Sequence, residues 1–277
     1  MDREIVLASL ILAIVGPALP AVTAWRQRPQ ATPSALHWER ACWRALWMPV
    51  LIGLIMVSAL LGWAMLEPRD SEPLPLLILA VSALFAAIWT RALIRGVKAA
   101  RRRPEVVAAT VGLWRPHSVV SDGLVTRLDG AAVEAVRAHE EAHIRHRDPL
   151  RLWLAQLATD LQWPSRNARQ RFDQWRHVLE LARDEEARQC GVDGADLAAA
   201  ILVAVRLTPT SPIAAGLISS PAALEDRVAR LLAPLATHQP EDSASSVLAV
   251  LSACLLSAAS GARFGEALMQ AIIRILS

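Results

Sequence analysis

The stretch HEEAH, residues 139–143, decides how this chain is read. It lies inside HEEAHIRHRDPL (139–150), after a run that Asp129 can cap as a helix and before a stop at Asp148-Pro149. On a helix, a spacing of four puts His139 and His143 one turn apart on one face. Two imidazoles so placed can chelate one tetrahedral Zn²⁺. Glu140 then stands beside the first of them, where a general base for a zinc-held water belongs. The plainer reading is a solvated charged face, since Glu141, Arg145 and His146 are polar too.

A catalytic zinc needs a third protein ligand and an open position. Downstream, LELARDEEA (179–187) carries Glu180 and Asp184 four residues apart on one helical face. One carboxylate can complete the metal site while the other holds a ligand histidine from behind. Spacing alone leaves open which does which. Ordinary pairing with Arg183 and Arg188 is the better account of Glu185 and Glu186.

The surrounding pattern is that of a mainly helical domain over 96–244 with a small β-hairpin. Residues 106–110 and 118–120 are β-prone and are punctuated by Gly112 and Arg115-Pro116. Amphipathic helices are expected from Asp129 to Arg147 and over 150–162. A third, capped by Ser165, should run through Glu180 to about Gly191, with two more over 195–207 and 222–232.

The chain of 277 residues is 54% apolar and 20% charged, greasier than an average globular protein at about 45–50% and 25%. That balance excludes disorder, collagen-like repeats and a disulfide-stapled scaffold. Cys42, Cys190 and Cys254 are too scattered for a disulfide framework or a C-x-x-C site. The excess apolar content falls in runs at 5–25, 45–66 and 74–90, each near the roughly 20 residues that span a bilayer. Trp25, Trp47, Trp63 and Trp89 stand near their ends, as interfacial indoles do. A signal peptide is the alternative for the first run, but its flank Asp2-Arg3-Glu4 is not net positive and further runs follow. Three transmembrane helices over 1–95, and a fourth with a short tail over 245–277, are therefore expected.

Arg26, Arg28, Arg40 and Arg44 follow the first run, and Arg91, Arg95, Lys98 and Arg101 to Arg103 follow the third. Positive-inside counting places everything after Arg91 in the cytoplasm of a bacterial inner membrane. The triple arginine reads as a headgroup anchor, so the net charge of +3 gives no reason to expect nucleic acid.

The segment 112–150, with GLWRPHSVVSDGL and HEEAHIRHRDPL, resembles the membrane zinc metallopeptidases of the beta-lactam sensor-transducer (BlaR/MecR-type) family. The later LELARDEEA and LEDRVARLL carry the same likeness, which extends over roughly 1–260. It implies a zincin fold of the glutamate-ligand kind. His139, His143 and Glu180 would be the zinc ligands, Glu140 the catalytic base, and Asp184 the acidic residue closing the second motif. The longer Glu side chain also suits a metal held between two helices, and the shorter Asp a hydrogen bond to an imidazole. Two departures stand out. No extracellular sensor is expected after the fourth run, so no beta-lactam signal follows. Arg183 also stands where the family favours a small residue or cysteine.

The expected function is a membrane-embedded zinc endopeptidase cleaving a cytoplasmic protein, such as a transcriptional repressor, or itself, in regulated proteolysis. Expected partners are that substrate, the lipid bilayer, and a partner sensor or a second copy. The alternative is a non-enzymatic membrane signal transducer with a structural zinc, a role that does not require Glu140. The chain has no Tyr, so a second donor to the oxyanion falls to His, Arg or backbone, with His177 first in line. The strand at 117–120 offers an edge for an extended substrate.

Overall fold

The computed structural model describes residues 34–66, 76–101, 108–207 and 221–235, together with residue 274. In chain order it contains α1 (Ala35–Leu66), α2 (Leu76–Arg101), β1 (Ala108–Val111), β2 (His117–Val120), α3 (Asp122–Val125) and α4 (Gly130–Arg145). These are followed by α5 (Asp148–Leu161), α6 (Arg166–Gln189), α7 (Gly194–Leu207) and α8 (Pro221–Leu232). The chain divides into two units, one of 1–28, 47–91 and 239–277 and the other of 29–46 and 92–238. The second unit carries the helices that bear the histidines and carboxylates.

The helix starts follow local chemistry. Asp129 accepts from the Ala132 amide at 2.8 Å to cap α4, and Ser165 accepts from the Ala168 amide at 3.3 Å to cap α6. Between α4 and α5 the chain turns at once. His146 closes α4, Arg147 takes a left-handed conformation (φ 52°), and Pro149 lies in the first turn of α5. This corner returns Asp148 to the His143 side chain. The hairpin is antiparallel, with Ala108 opposite Val120 and Val111 opposite His117. Gly112 closes β1 at φ +98°, where an added Cβ would lie 2.4 Å from the Arg115 carbonyl oxygen.

Small residues let the helices approach. Ala135, Ala187, Leu197, Ala198 and Leu231 form one buried cluster, in which α4, α6, α7 and α8 meet. Leu124, Ala132, Val136 and Ala200 form a second, under the hairpin residues Ala108 and Val120. Gly194 is required at the α7 start because a Cβ there would meet the Leu231 carbonyl oxygen at 2.0 Å. Trp175 is fully buried, with its ring 5.0 Å from that of Trp43 and 6.3 Å from that of Phe172.

The multi-pass membrane fold expected from hydropathy is not what the structure has. Among the described residues, no helix is long and apolar enough to cross a membrane. The expected first and fourth spans lie outside the described residues, while the second and third fall in α1 and α2. Within those runs, Leu46 is buried in the second unit, whereas Trp89 is half exposed. Beside them, Ala35 and Ala92 are buried, and Gly96 lies against the Trp153 indole, which donates to its carbonyl at 3.0 Å. Hydropathy counts such residues as apolar without saying whether protein or lipid meets them. Arg40 and Arg44, read as loop charges, lie on α1. The helical architecture and the two-stranded hairpin are present.

Candidate functional site

Helix α4 presents both histidines inward, each less than a tenth exposed. Their Nε2 atoms face each other at 3.1 Å. Glu180, from α6, brings Oε2 to 3.6 Å from His139 Nε2 and Oε1 to 3.7 Å from His143 Nε2. Zinc bonds of about 2.0–2.2 Å in a tetrahedron put ligand atoms about 3.3–3.5 Å apart. The three separations bracket that value, and two imidazoles with one carboxylate are a set that suits zinc with a position left over. His139, His143 and Glu180 therefore fit a metal ion. Glu180 keeps a third of its side chain exposed, which leaves one face of the triad open.

Each histidine is backed by a carboxylate at its other nitrogen, the arrangement that fixes ring orientation in metal sites. His143 Nδ1 donates to Asp148 Oδ2 at 2.8 Å. His139 Nδ1 lies 2.9 Å from Asp184 Oδ1, off the hydrogen-bond line. Asp184 thus stands behind His139, and Asp148, which the sequence reading took for a helix stop, stands behind His143.

Two arginines hold those carboxylates. Arg183, 1% exposed, grips Asp148 with Nε on Oδ2 at 2.5 Å and Nη2 on Oδ1 at 2.9 Å. The departure at Arg183 thereby acquires a physical reason: it neutralises a buried aspartate. Arg227, from α8, grips Asp184 in the same two-pronged way at 2.5 and 2.9 Å. Its Nη1 lies 3.0 Å from Glu180 Oε2 and its Nη2 3.3 Å from His139 Nε2. Arg227 was not singled out from the sequence, although LEDRVARLL contains it.

Burial raises the carboxyls of Glu180 and Asp184, but the Arg227 charge and the nearby histidines outweigh it and hold both low. Burial by itself would favour a neutral His139. The Asp184 and Glu180 carboxylates beside it override this and, against Arg227, push it up to about 9 without a metal. For Asp148, burial is outweighed by the His143 hydrogen bond and by Arg183, so the carboxyl sits well below its usual range.

Glu140 is buried beside the triad. The Thr110 hydroxyl donates to its Oε2 at 2.7 Å and lies 3.1 Å from its backbone oxygen, which ties the hairpin to the helix. His177 is not brought to the triad: its Nε2 lies 2.9 Å from Asp226 Oδ2. Glu185 accepts from the Ala35 amide at 2.5 Å, and Glu186 pairs with Arg145 and His146. Burial, with Glu39 adding to it, raises the Cys42 thiol to about 11, which makes it a poor nucleophile.

Comparison with curated proteins and with solved structures returned no match. The likeness to the BlaR/MecR-type family therefore has no independent support. One family does match: residues 53–165 correspond to Peptidase family M48, a segment that includes HEEAH and ends before α6, and this supports reading the chain as a metallopeptidase of a zinc-dependent family.

Proposed function

We propose that the chain is a zinc-dependent endopeptidase in which His139, His143 and Glu180 hold the metal and Glu140 is the general base. The convergence of three donor atoms at separations close to those of a tetrahedral site, with Glu140 one residue from the first, carries this reading. Bound zinc supplies Lewis acidity, lowering the pKa of a coordinated water and polarising a peptide carbonyl. Glu140 takes the proton from the attacking water and passes it to the leaving amine. Thr110 keeps its carboxylate aimed into the site. The second donor to the developing oxyanion is Arg227 in place of His177, because Arg227 reaches the triad and His177 is held by Asp226.

The substrate is an extended segment of a protein, aligned beside the hairpin that touches Glu140. His117 to Val119 of β2 are exposed and suit strand addition. Within this reading the BlaR/MecR likeness favours regulated proteolysis of a target protein or of the chain itself. A purely structural zinc has no need of a buried, hydroxyl-anchored Glu140 or of an open face at Glu180. Cleavage of an unstructured protein by zinc-loaded enzyme, lost on chelation and restored by zinc, tests the proposal. Cleavage that persists in excess chelator would refute it.

A further inference from the structure

Helix α1 begins outside the segment that matches the peptidase family, yet its first turns reach into the metal site through charges. Glu39 is 4% exposed. It accepts from Trp175 Nε1 at 2.7 Å and from Arg151 Nη2 at 2.5 Å. The Arg151 guanidinium lies over the Trp43 ring at 4.8 Å and the Trp175 ring at 5.6 Å. Its Nη1 donates to Asp148 Oδ1 at 3.1 Å, and Asp148 in turn holds His143. The first turn docks independently: Glu185 accepts from the Ala35 amide, and Ala35 packs on Leu181 and Ala182, between Glu180 and Asp184.

We propose that Glu39 is a positioning residue for the zinc ligand His143, acting through Arg151 and Asp148, so that residues 35–43 form part of the working site. This rests on the zinc-peptidase reading above. The charges alternate along the row Glu39, Arg151, Asp148, Arg183, and the four sum to zero. Without Glu39, Asp148 alone answers Arg151 and shares Arg183 with Glu186, whose Oε2 lies 3.4 Å from Arg183 Nη1. The negative charge of Asp148 is drawn towards the guanidinium groups and away from His143 Nδ1, and one uncompensated positive charge is left beside a site that must accept a dication. Both consequences weaken zinc binding, and neither requires the helix to detach.

The test uses the full-length chain, with zinc affinity measured by chelator competition and ligand geometry read from the visible spectrum of the cobalt(II)-substituted protein. Glu39→Gln keeps an oxygen acceptor for Trp175 and Arg151 and removes only the charge. It should weaken zinc binding about 10-fold and shift the cobalt bands, as changes behind a ligand do. Combined with Asp148→Asn, it should add less than its separate effect, since both act on one path. Leu46→Ala removes buried packing from the same helix without touching the relay. It should lower the melting temperature yet leave zinc affinity within about 2-fold. Wild-type affinity and spectrum in Glu39→Gln would overturn the proposal, as would an equal loss of zinc in Leu46→Ala. A wild-type chain that binds no zinc would instead refute the peptidase reading, before any variant is compared.

Discussion

Replacing Asp148 by alanine tests how the site is built, apart from what it catalyses. Asp148 is 1% exposed and takes hydrogen bonds from His143, Arg183 and Arg151. Removing it leaves Arg183, itself 1% exposed, with only the longer 3.4 Å contact to Glu186, and breaking a buried pair in this way costs about 3–5 kcal/mol. For a unit of this size each kcal/mol moves the melting temperature by about 2–4 °C, so the expected drop is roughly 6–20 °C. The measurement is thermal unfolding of wild type and Asp148→Ala in chelator at neutral pH, followed by circular dichroism. The sign with pH is fixed as well. The folded-state pKa of Asp148 is lowered, so its contribution is complete above the ordinary carboxylate value and fades as pH falls through the lowered one. The gap between the two proteins should therefore hold from pH 7 to about pH 4 and shrink below it. With zinc present, Asp148→Ala should also bind the metal about 10–100-fold more weakly. A loss under about 1 kcal/mol at pH 7 would show that the buried pairing does not carry the weight assigned to it.

Further outcomes follow from the same geometry. Glu180→Ala should lose most bound zinc and Asp184→Ala should weaken it about 10–100-fold, while Glu185→Ala, whose side chain caps α1, should change metal content little; elemental analysis of the three proteins decides. Because His139 is pushed up to about 9 without metal, zinc must displace a proton below that pH, so the apparent affinity should rise about 10-fold per pH unit from 6.5 towards 9, measured by competition titration. The metal-free protein should show the opposite slope, since the raised His139 pKa stabilises it fully below about 6.5 and that contribution is lost as pH rises through 9, which melting curves will report. Arg227→Ala should lower kcat about 10²–10³-fold and retain zinc, whereas His177→Ala should cost under 10-fold, each read from peptide turnover.

The parts of the site that were legible in the sequence are those written in short-range spacing. His139 and His143 four apart, Glu180 and Asp184 four apart, and the caps at Asp129 and Ser165 all follow from the period of a helix. What spacing cannot carry is which distant side chains fold back onto the site. Arg227 sits on α8, and nothing local in its neighbourhood says that it reaches Glu180 and His139. Asp148 looked like punctuation before a proline and proved to hold His143, because the left-handed Arg147 turns it inward. Arg183 pairs with Glu186 as its acidic neighbourhood suggested, but it does so from a buried position that spacing could not show. The apolar runs misled for a related reason. Composition registers apolar side chains but not their neighbours: Leu46, inside the second run, is buried within the protein, while Trp89, at the end of the third, is half exposed.

The central claim, that a metal on His139, His143 and Glu180 works with Glu140 as base, is tested most directly by Glu140→Gln. The change is isosteric, removes the proton acceptor and leaves the three metal-facing side chains untouched. Zinc content and hydrolysis of an unstructured protein are measured on the same preparation. The account predicts about one zinc per chain in both proteins, with hydrolysis reduced about 10²–10⁴-fold in the variant. Zinc retained with undiminished hydrolysis would contradict it.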